Sequence, residues 1–334
     1  MTSPTQPATG TEDPRATARL HWARGVSAGE VDALHRASAD AGFRSYWRGA
    51  PDGIVMDSPP ALEDVRPWLA MHAVLESGGV RVPRILARDV DAGFLLLEDL
   101  GPSTCLQVAD AGNVDALVES AVDQLLRLQA IACPPGLPAY DRALLVRELG
   151  LFREWFLQRH LGVALDDGED AALRGIEVLL VDAALAQPQV LVHRDFMLRN
   201  LMPVAGGPAV LDFQDAVRGP IAYDMLSLCR DAFASWPEAR VERWREGYRT
   251  RAAAAGLPVP DAARFERDFD LVGVQRHLKV LGIFARLHHR DGKPRYLADA
   301  PRFIGYLDAV LPRYPQLEPL RAIVDRHVRP VLAG

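Results

Sequence analysis

The sequence predicts an α+β fold of two lobes, a small hairpin-rich N-terminal lobe and a larger, mainly helical C-terminal lobe. Its 334 residues favour two domains, at roughly 100 to 200 residues per domain. Short strand patterns separated by turn residues fill the N-terminal part, whereas helical spacing of apolar residues prevails after Gly101. We therefore expect a disordered tail over residues 1–14, an N-terminal lobe over residues 15–100 and a C-terminal lobe over residues 101–334.

The composition excludes several classes of protein. With 38 basic and 44 acidic residues the net charge is −6, and there is no long basic block, so we expect neither nucleic acid nor an anionic membrane as a partner. No apolar run reaches about 18 residues, the length of a membrane span, and the N-terminus lacks a signal-peptide pattern. Three Cys residues without C-x-x-C spacing indicate neither disulfides nor a zinc site. We expect a cytoplasmic protein, and the sequence favours no particular oligomeric state.

Local patterns predict the elements of the N-terminal lobe. Ser27 and Glu30 are the ends of a capping-box pattern, which predicts a helix over about residues 28–39. The elements that follow are predicted from turn and breaker residues. They are strands over residues 43–48 and 54–57, a helix after Pro59-Pro60 that ends at Gly78-Gly79, and strands over residues 84–90 and 94–98.

Helices dominate the C-terminal lobe except in one segment. Asn113 and Asp141 stand where the N-caps of two long helices are expected, ahead of apolar residues at helical spacing. Short apolar strands over residues 190–192, 201–204 and 209–211 interrupt the helices. The ends of these strands carry carboxylates and an amide, which we expect at the same edge of a small sheet.

Asp195, Asn200 and Asp212 carry the chemistry of this segment, with the spacing D-x4-N-x11-D. Transfer of a phosphoryl group from ATP needs one carboxylate to accept or orient the acceptor hydroxyl, and hard oxygen ligands that hold Mg²⁺ on the phosphates. The kinase catalytic loop and the Asp after the next hairpin provide these groups at such spacing. His193 fits a structural hydrogen-bonding role better than that of a base. The alternative is that these residues only cap a tight loop and end a strand.

The segments around this motif resemble a known family. VLVHRDFMLRNLM and VLDFQDAVRGPIAYDMLSLCR, within residues 190–230, are similar to the aminoglycoside-phosphotransferase and choline-kinase superfamily of protein-kinase-like folds. FRSYWR, VMDSPP, GFLLLEDLG and QRHLKVLGIFARL extend the resemblance over about residues 20–315. They point to the branch of anomeric kinases that act on N-acetylmuramate and N-acetylglucosamine in bacterial cell-wall recycling.

The resemblance implies a role for each motif. Asp195 would be the catalytic base, and Asn200 and Asp212 would be the ligands of Mg²⁺. ATP would lie in a cleft between the lobes, under the hairpin of residues 43–47 and against the backbone of residues 98–100. The ATP-binding residues would be Phe43, Arg44, Tyr46, Met56, Glu98 and Leu100. Apart from the resemblance, the polar candidates for contact with the amino sugar are Gln214, Asp215, Tyr223 and Asp224, together with Arg276, His277 and Lys279, which lie close in sequence on a predicted helix.

The sequence departs from this family in two places. Only two of the 38 basic residues are lysines, and both follow residue 278, so the N-terminal lobe lacks the lysine with which ordinary kinases bind phosphate. Arg44 or Arg48 could take its place, because a guanidinium binds phosphate through paired donors. The alternative is that both are surface arginines on a mobile hairpin. Met197 and Leu198 also make the loop after Asp195 more apolar than in many relatives.

These features predict an ATP- and Mg²⁺-dependent kinase that phosphorylates the anomeric hydroxyl of N-acetylmuramate and N-acetylglucosamine. An anomeric hydroxyl is more acidic than an ordinary alcohol, so Asp195 need only position it and accept its proton late. The lactyl carboxylate of N-acetylmuramate needs a cationic partner, for which Arg276, His277 and Lys279 are candidates unless they serve only as ion pairs of a helix. Two other functions stay open: a kinase of an aminoglycoside or another small alcohol, and a catalytically inactive nucleotide-binding module.

Overall fold

The structure is a computed structural model, and it describes residues 13–39 and 43–332. The tail predicted over residues 1–14 lies outside the described residues except for Asp13 and Pro14. The described residues divide into two units, one drawn from Met1–Ala70 and Pro83–Gly101 and the other from Met71–Val82 and Pro102–Gly334. The predicted α+β fold is confirmed, because the first unit contains an antiparallel sheet and the second is mainly helical.

The first unit is built on one antiparallel sheet with the strand order β1-β2-β3-β5-β4. The elements up to Glu98 are α1 (Ala16–Val26), β1 (His35–Ala39), β2 (Ser45–Ala50), β3 (Gly53–Asp57), α2 (Arg66–Ser77), β4 (Ile85–Asp89) and β5 (Phe94–Glu98). Both predicted hairpins are confirmed: Tyr46 pairs with Met56 across β2 and β3, and Arg88 pairs with Leu95 across β4 and β5. The helix predicted after Pro59-Pro60 is also confirmed, as α2.

The helix predicted over residues 28–39 is wrong. Residues 31–34 have no regular structure, and the segment that follows is strand β1. Ser27 ends the unpredicted helix α1, and its hydroxyl donates a hydrogen bond to Asp52 in the β2–β3 turn. The N–H of Ala28 donates to the other carboxylate oxygen of Asp52 at 3.1 Å. A contact with a distant turn therefore engages the side chain that would have capped the predicted helix.

A buried ion pair joins α1 to the end of β3. The carboxylate of Asp57, only 1% exposed, accepts from Arg19 at 2.7 Å and from Arg15 at 2.8 Å. The Arg19 guanidinium also lies over the ring of Trp47, 3.6 Å from its centroid. Apolar residues from α1, the sheet and the segment between them form the core beside this pair: Ala23, Val31, Ala50, Val55 and Leu96. The ion pair and this core together fix α1 against the sheet.

Helices form most of the second unit. They are α3 (Cys105–Val108), α4 (Val114–Ala130), α5 (Arg142–Leu151), a π-helix (Phe152–His160), α6 (Asp167–Leu185), α7 (Ala222–Cys229), α8 (Glu238–Ala254) and α9 (Ala262–His289). The remaining helical segments are a 3₁₀ turn (Pro294–Asp299), α10 (Ala300–Val310), 3₁₀ turns (Leu311–Arg313 and Pro315–Leu317), α11 (Glu318–Ile323), a π-helix (Val324–Val328) and α12 (Arg329–Leu332). α9 is buried along most of its length, so it is the central helix of the unit. Every helix among the described residues is too short or too polar to span a lipid bilayer.

Two small antiparallel sheets interrupt these helices. They are formed by β6 (Gln189–Val192) with β9 (Val217–Pro220) and by β7 (Leu201–Met202) with β8 (Ala209–Val210). The three strands predicted in this segment are confirmed, although β7 and β8 are shorter than predicted and β9 was not predicted.

One of the two predicted N-caps is confirmed. The Asp141 carboxylate accepts from the Leu144 N–H at 2.8 Å at the start of α5. Asn113 precedes α4 but makes no capping bond, because its side chain accepts from the Asp110 N–H and donates to the Val108 carbonyl, both at 2.8 Å. The Asn113 side chain is therefore bound within the loop before α4 and does not cap the helix.

Arg19→Met should lower the free energy of unfolding by about 3 kcal/mol, because removing one partner leaves the buried carboxylate of Asp57 poorly compensated. Arg66→Met is the matched control: Arg66 is 62% exposed and pairs with Asp64 on the surface, so its loss should change the free energy by less than about 1 kcal/mol. Urea unfolding of both variants measures the difference. Equal, small losses in the two variants would contradict a structural role for the Arg19–Asp57 pair.

Candidate active site

Asp224 at the start of α7 holds the backbone of the loop that carries Asp195. Its two carboxylate oxygens accept from the N–H groups of His193 and Arg194, at 2.7 and 3.0 Å. Arg194 has a φ of 77°, in the left-handed region that non-glycine residues seldom adopt. Burial raises the pKa of Asp224 to about 6, although the nearby His193 and both N–H bonds lower it. The carboxylate thus stabilises a strained turn directly before Asp195.

His193 ties the same loop, residues 193–200, to the strand end before Asp212. Its Nδ1 accepts from the Asp195 N–H at 3.3 Å, and its Nε2 lies 2.8 Å from the Leu211 carbonyl. Because Nδ1 accepts, the ring donates through a proton on Nε2. Both ring nitrogens are therefore engaged in holding the two segments together, and His193 has a structural role.

The strand ends bring Asn200 and Asp212 to one edge. The Leu211 N–H donates to the Asn200 carbonyl at 2.9 Å, in line with the pairing of β7 and β8. The Asn200 side-chain NH₂ donates to the Asp195 carbonyl at 2.9 Å, which orients Asn200 on the 193–200 loop. Asp212, at a φ of 63°, accepts from Gln214 at 2.8 Å.

The donor set at this edge fits Mg²⁺ better than a transition metal. An amide oxygen and a carboxylate are hard ligands, and Mg²⁺ commonly binds one or two carboxylates together with substrate phosphates. Among residues 13–39 and 43–332, no three His, Cys, Asp or Glu side chains gather in an arrangement that could hold a metal ion. Asn200 and Asp212 would therefore hold a cation that a nucleotide also coordinates, not one caged by the protein alone.

Positive charges surround the carboxylate of Asp195. Burial alone would raise its pKa, but the charges of Lys279, Arg276 and Arg194 outweigh burial and hold the pKa below its usual value. Asp195 is therefore ionised at neutral pH. An ionised, partly exposed carboxylate can orient a hydroxyl group and accept its proton.

Glu148 of α5 binds residues from three other parts of the unit. The carboxylate is 5% exposed and accepts from Arg194 at 2.7 Å, from Lys279 at 3.1 Å, from Gln275 at 3.3 Å and from the hydroxyl of Tyr140. Burial alone would raise the pKa of Glu148, but the charges of Lys279 and Arg194 hold it below its usual value. We call this set the Glu148 cluster, and it connects α5 and α9 to the residue beside Asp195.

The predicted sugar-binding residues fall into three groups. Four contact the 193–200 loop or Asp212: Gln214, Asp215, Asp224 and Arg276. Tyr223 and Lys279 lie 3.1 Å apart, and the lysine joins them to the Glu148 cluster. His277 is brought to none of these groups, because it packs against two aromatic rings of α10.

The predicted ATP-binding residues lie in the first unit. Phe43 is 61% exposed in the β1–β2 connection, Tyr46 and Met56 are the β2–β3 pair named above, and Glu98 and Leu100 lie at the end of β5 and just after it. The two candidate arginines differ. Arg48 donates through two nitrogens to Asp99, at 2.7 and 2.8 Å. Arg44 is buried and pairs with Glu63 at 3.1 Å.

A family comparison agrees with this geometry. The model of the phosphotransferase enzyme family matches residues 33–267. The chain belongs to this family. Solved structures with the same phosphotransferase fold include the aminoglycoside phosphotransferase APH(2'')-Ib with ADP bound, at a TM-score of 0.60 and 14% identity over 88% of this chain and 97% of that one. The choline kinase LicA from Streptococcus pneumoniae matches at a TM-score of 0.60 and 13% identity over 84% and 94%.

Curated relatives of this phosphotransferase share about half of its residues. The N-acetylmuramate/N-acetylglucosamine kinase of Pseudomonas putida is 51% identical over 302 residues, 89% of either chain. The kinase of the same name from Pseudomonas aeruginosa is 52% identical over 288 residues, 85% of either chain. That from Neisseria meningitidis is 46% identical over 297 residues, 86% of this chain and 88% of the relative.

Among the buried acids of this phosphotransferase, two that act on residues of the candidate site, Glu148 and Asp231, were missed by the sequence reasoning. Glu148 interrupts the apolar face that Leu145 and Leu149 form on α5, and a charged residue at a buried helical position was the signal that could have revealed it. Asp231 follows α7 and is fully buried. Its surroundings contain no local pattern that predicts a function.

Asp224→Ala should lower the free energy of unfolding by about 2–5 kcal/mol, because two buried N–H groups lose their acceptor. Asp224→Asn, which keeps one acceptor oxygen, should lose less. Folding raises the pKa of Asp224 to about 6. The contribution of this side chain to the free energy of unfolding is therefore greatest below its unfolded pKa of about 4 and declines as pH rises through 6. Denaturant unfolding between pH 4 and 7 measures both effects, and a variant with wild-type stability and pH dependence would contradict them.

Proposed function

We propose that the protein is an ATP-dependent kinase that phosphorylates the anomeric hydroxyl of N-acetylmuramate and N-acetylglucosamine. The observation that carries the proposal is the ionised Asp195 beside Asn200 and Asp212, in a chain that shares about half of its residues with kinases named for these two sugars. A 1-phosphate of either amino sugar suits peptidoglycan recycling, the process to which the sequence resemblance points. The cytoplasmic location stays a prediction.

Asn200 and Asp212 would hold Mg²⁺, which neutralises charge on the phosphates of ATP when bound. Asn200 is oriented for this by its bond to the Asp195 carbonyl, and Asp212 by the strained turn after β8. His193 maintains the spacing between them. The protein's own contribution is therefore a rigid pair of oxygen ligands beside a charged carboxylate.

Asp195 would orient the anomeric hydroxyl and accept its proton. A bond forms between the sugar oxygen and the γ-phosphorus, the bond from that phosphorus to the bridging oxygen of ADP breaks, and the hydroxyl proton passes to the Asp195 carboxylate. The phosphoryl transition state is loose, so positioning and charge stabilisation contribute most of the rate. Lys279 and Arg276 keep the carboxylate ionised for this step.

Arg44 would serve the phosphates in place of the absent lysine. Arg48 is held by two bonds to Asp99 and a third to the Gly101 carbonyl, at 3.0 Å, and therefore stabilises the segment after β5. Arg44 pairs with Glu63 ahead of α2, which supports its assignment as the cation of a charge pair like the lysine–glutamate pair of kinases. The other residues proposed to contact ATP remain Phe43, Tyr46, Met56, Glu98 and Leu100.

The contacts with the sugar divide between the loop and α9. Gln214 and Asp215 follow Asp212 and are partly or fully exposed, so they are proposed to meet the sugar hydroxyls. Tyr223, Arg276 and Lys279 are proposed to meet it from the α7 and α9 side. Asp224 has both oxygens occupied by the loop backbone, and we propose a supporting role for it.

Wild-type protein with Mg-ATP and either sugar should release ADP and abolish the reducing power of the sugar, because phosphorylation at the anomeric oxygen blocks ring opening. Asp195→Ala should lose at least about 100-fold in kcat, the contribution typical of a positioned base, while its unfolding midpoint stays close to that of the wild type. ADP release with reducing power retained would contradict the anomeric assignment. Absence of turnover with both sugars would contradict the kinase proposal and favour an inactive module.

A further inference from the structure

Of the three candidate cations on α9, Lys279 already has an acidic partner and His277 carries no charge at neutral pH. The Lys279 ammonium lies 3.1 Å from the Glu148 carboxylate and 3.1 Å from the Tyr223 hydroxyl. His277 lies with its ring centroid 5.0 Å from that of Tyr306, and burial lowers its pKa well below the usual value. Lys279 is therefore paired within the protein, and His277 is neutral at pH 7. Neither residue offers an uncompensated positive charge to a ligand.

Arg276 differs from both. Its side chain is 2% exposed, and its Nη2 donates to the sulfur of Met197 at 3.2 Å. Its Nη1 is buried and has no hydrogen-bond partner among the described residues, and no carboxylate of that part of the chain lies within 4.0 Å of the guanidinium. A thioether is a weak acceptor, and buried cations without a strong partner are rare because they are costly. A buried donor without a partner is a site at which an absent ligand group belongs.

A second unpartnered atom lies near this guanidinium. Asp231 is fully buried; one of its oxygens accepts from the Phe233 N–H at 2.7 Å, whereas Oδ2 has no partner among the described residues. Burial raises the pKa of Asp231, and the charge of Arg276 lowers it only in part. The two side chains influence each other but form no ion pair. The arginine therefore keeps donors for another acceptor.

Arg276 lies near the reacting carboxylate, and its charge helps to hold the pKa of Asp195 below the usual value. Met197 is two residues beyond Asp195 and has an extended backbone, with φ −133° and ψ 155°. The unbranched side chain of methionine adapts to new neighbours easily, so its sulfur can leave Nη2 when a stronger acceptor arrives.

We propose that Arg276 recognises the lactyl carboxylate of N-acetylmuramate, with Met197 as the displaceable side chain that occupies the carboxylate's place when no sugar is bound. A guanidinium fork and a carboxylate make two parallel charge-assisted hydrogen bonds. N-acetylglucosamine lacks the lactyl group, so this contact is made with N-acetylmuramate alone and Arg276 sets the preference between the two sugars. This inference rests on the proposed function.

The test compares three substrates: N-acetylmuramate, its lactyl methyl ester and N-acetylglucosamine. With the wild type, the neutral ester should show a kcat/KM about 10- to 100-fold below that of the acid, the range expected for a hydrogen bond to a charged group. In Arg276→Gln the kcat/KM of the acid should fall to that of the ester, whereas the ester and N-acetylglucosamine should share only the smaller loss that follows from weaker support of Asp195. Arg276→Lys keeps the positive charge without the two-donor guanidinium. Its ratio of acid to ester kcat/KM should lie between the ratios of the wild type and of Arg276→Gln.

Lys279→Met is the matched control, because it removes a cation one turn away on the same helix. It should lower the kcat/KM of all three substrates alike, since Lys279 supports Asp195 and the Glu148 cluster and would meet a part of the sugar that the three substrates share.

An equal wild-type kcat/KM for the acid and the ester would overturn the proposal. So would a loss in Arg276→Gln that is equal for N-acetylmuramate and N-acetylglucosamine, or an unchanged acid-to-ester ratio in Arg276→Lys. If Arg276→Gln does not fold, as judged by circular dichroism, the wild-type and Arg276→Lys ratios decide. Failure of the wild type to phosphorylate N-acetylglucosamine would instead contradict the proposed function.

Discussion

One buried carboxylate, that of Glu148, organises the residues around Asp195. It accepts from Arg194, Lys279, Gln275 and Tyr140, so four donors from the 193–200 loop, α9 and the segment before α5 meet at one point. Burying two cations is costly unless a partner and further hydrogen bonds compensate them. Arg194 directly precedes Asp195 and occupies a strained turn, so Glu148 fixes its side chain while Asp224 holds the backbone of the same turn.

The charges of the cluster also serve the chemistry. Asp195 stays ionised because the cations of α9 and the loop outweigh its burial, and Glu148 neutralises part of the charge of two of them, Lys279 and Arg194. Lys279, one of the two lysines of the chain, is thus part of the support for the carboxylate. Arg276 is not neutralised in this way, which is why it alone is assigned to a carboxylate of the substrate.

The features that the sequence predicted correctly depend on neighbouring residues. The two hairpins, α2 and the spacing of Asp195, Asn200 and Asp212 follow from alternation, turn residues and strand ends, all of which are local. The prediction of a helix over residues 28–39 is wrong because Ser27 binds Asp52, which lies in another turn. Glu148 was missed for a similar reason: its partner Gln275 is 127 positions away, and only the packing of α5 against α9 brings the two together.

The stability of Glu148→Gln as a function of pH tests the role of this acid most directly. At pH 7 the free energy of unfolding of the variant should be about 3–5 kcal/mol below that of the wild type, because the buried Lys279 and the partly buried Arg194 lose their partner. Folding lowers the pKa of Glu148, so its contribution to the free energy of unfolding is complete above its unfolded pKa of about 4.3 and is lost as pH falls through its folded pKa. The difference in stability between the wild type and Glu148→Gln should therefore shrink in acid. Glu154→Gln, at an exposed pair with Arg159, should differ from the wild type by less than about 1 kcal/mol. Wild-type stability of Glu148→Gln at pH 7 would contradict the account.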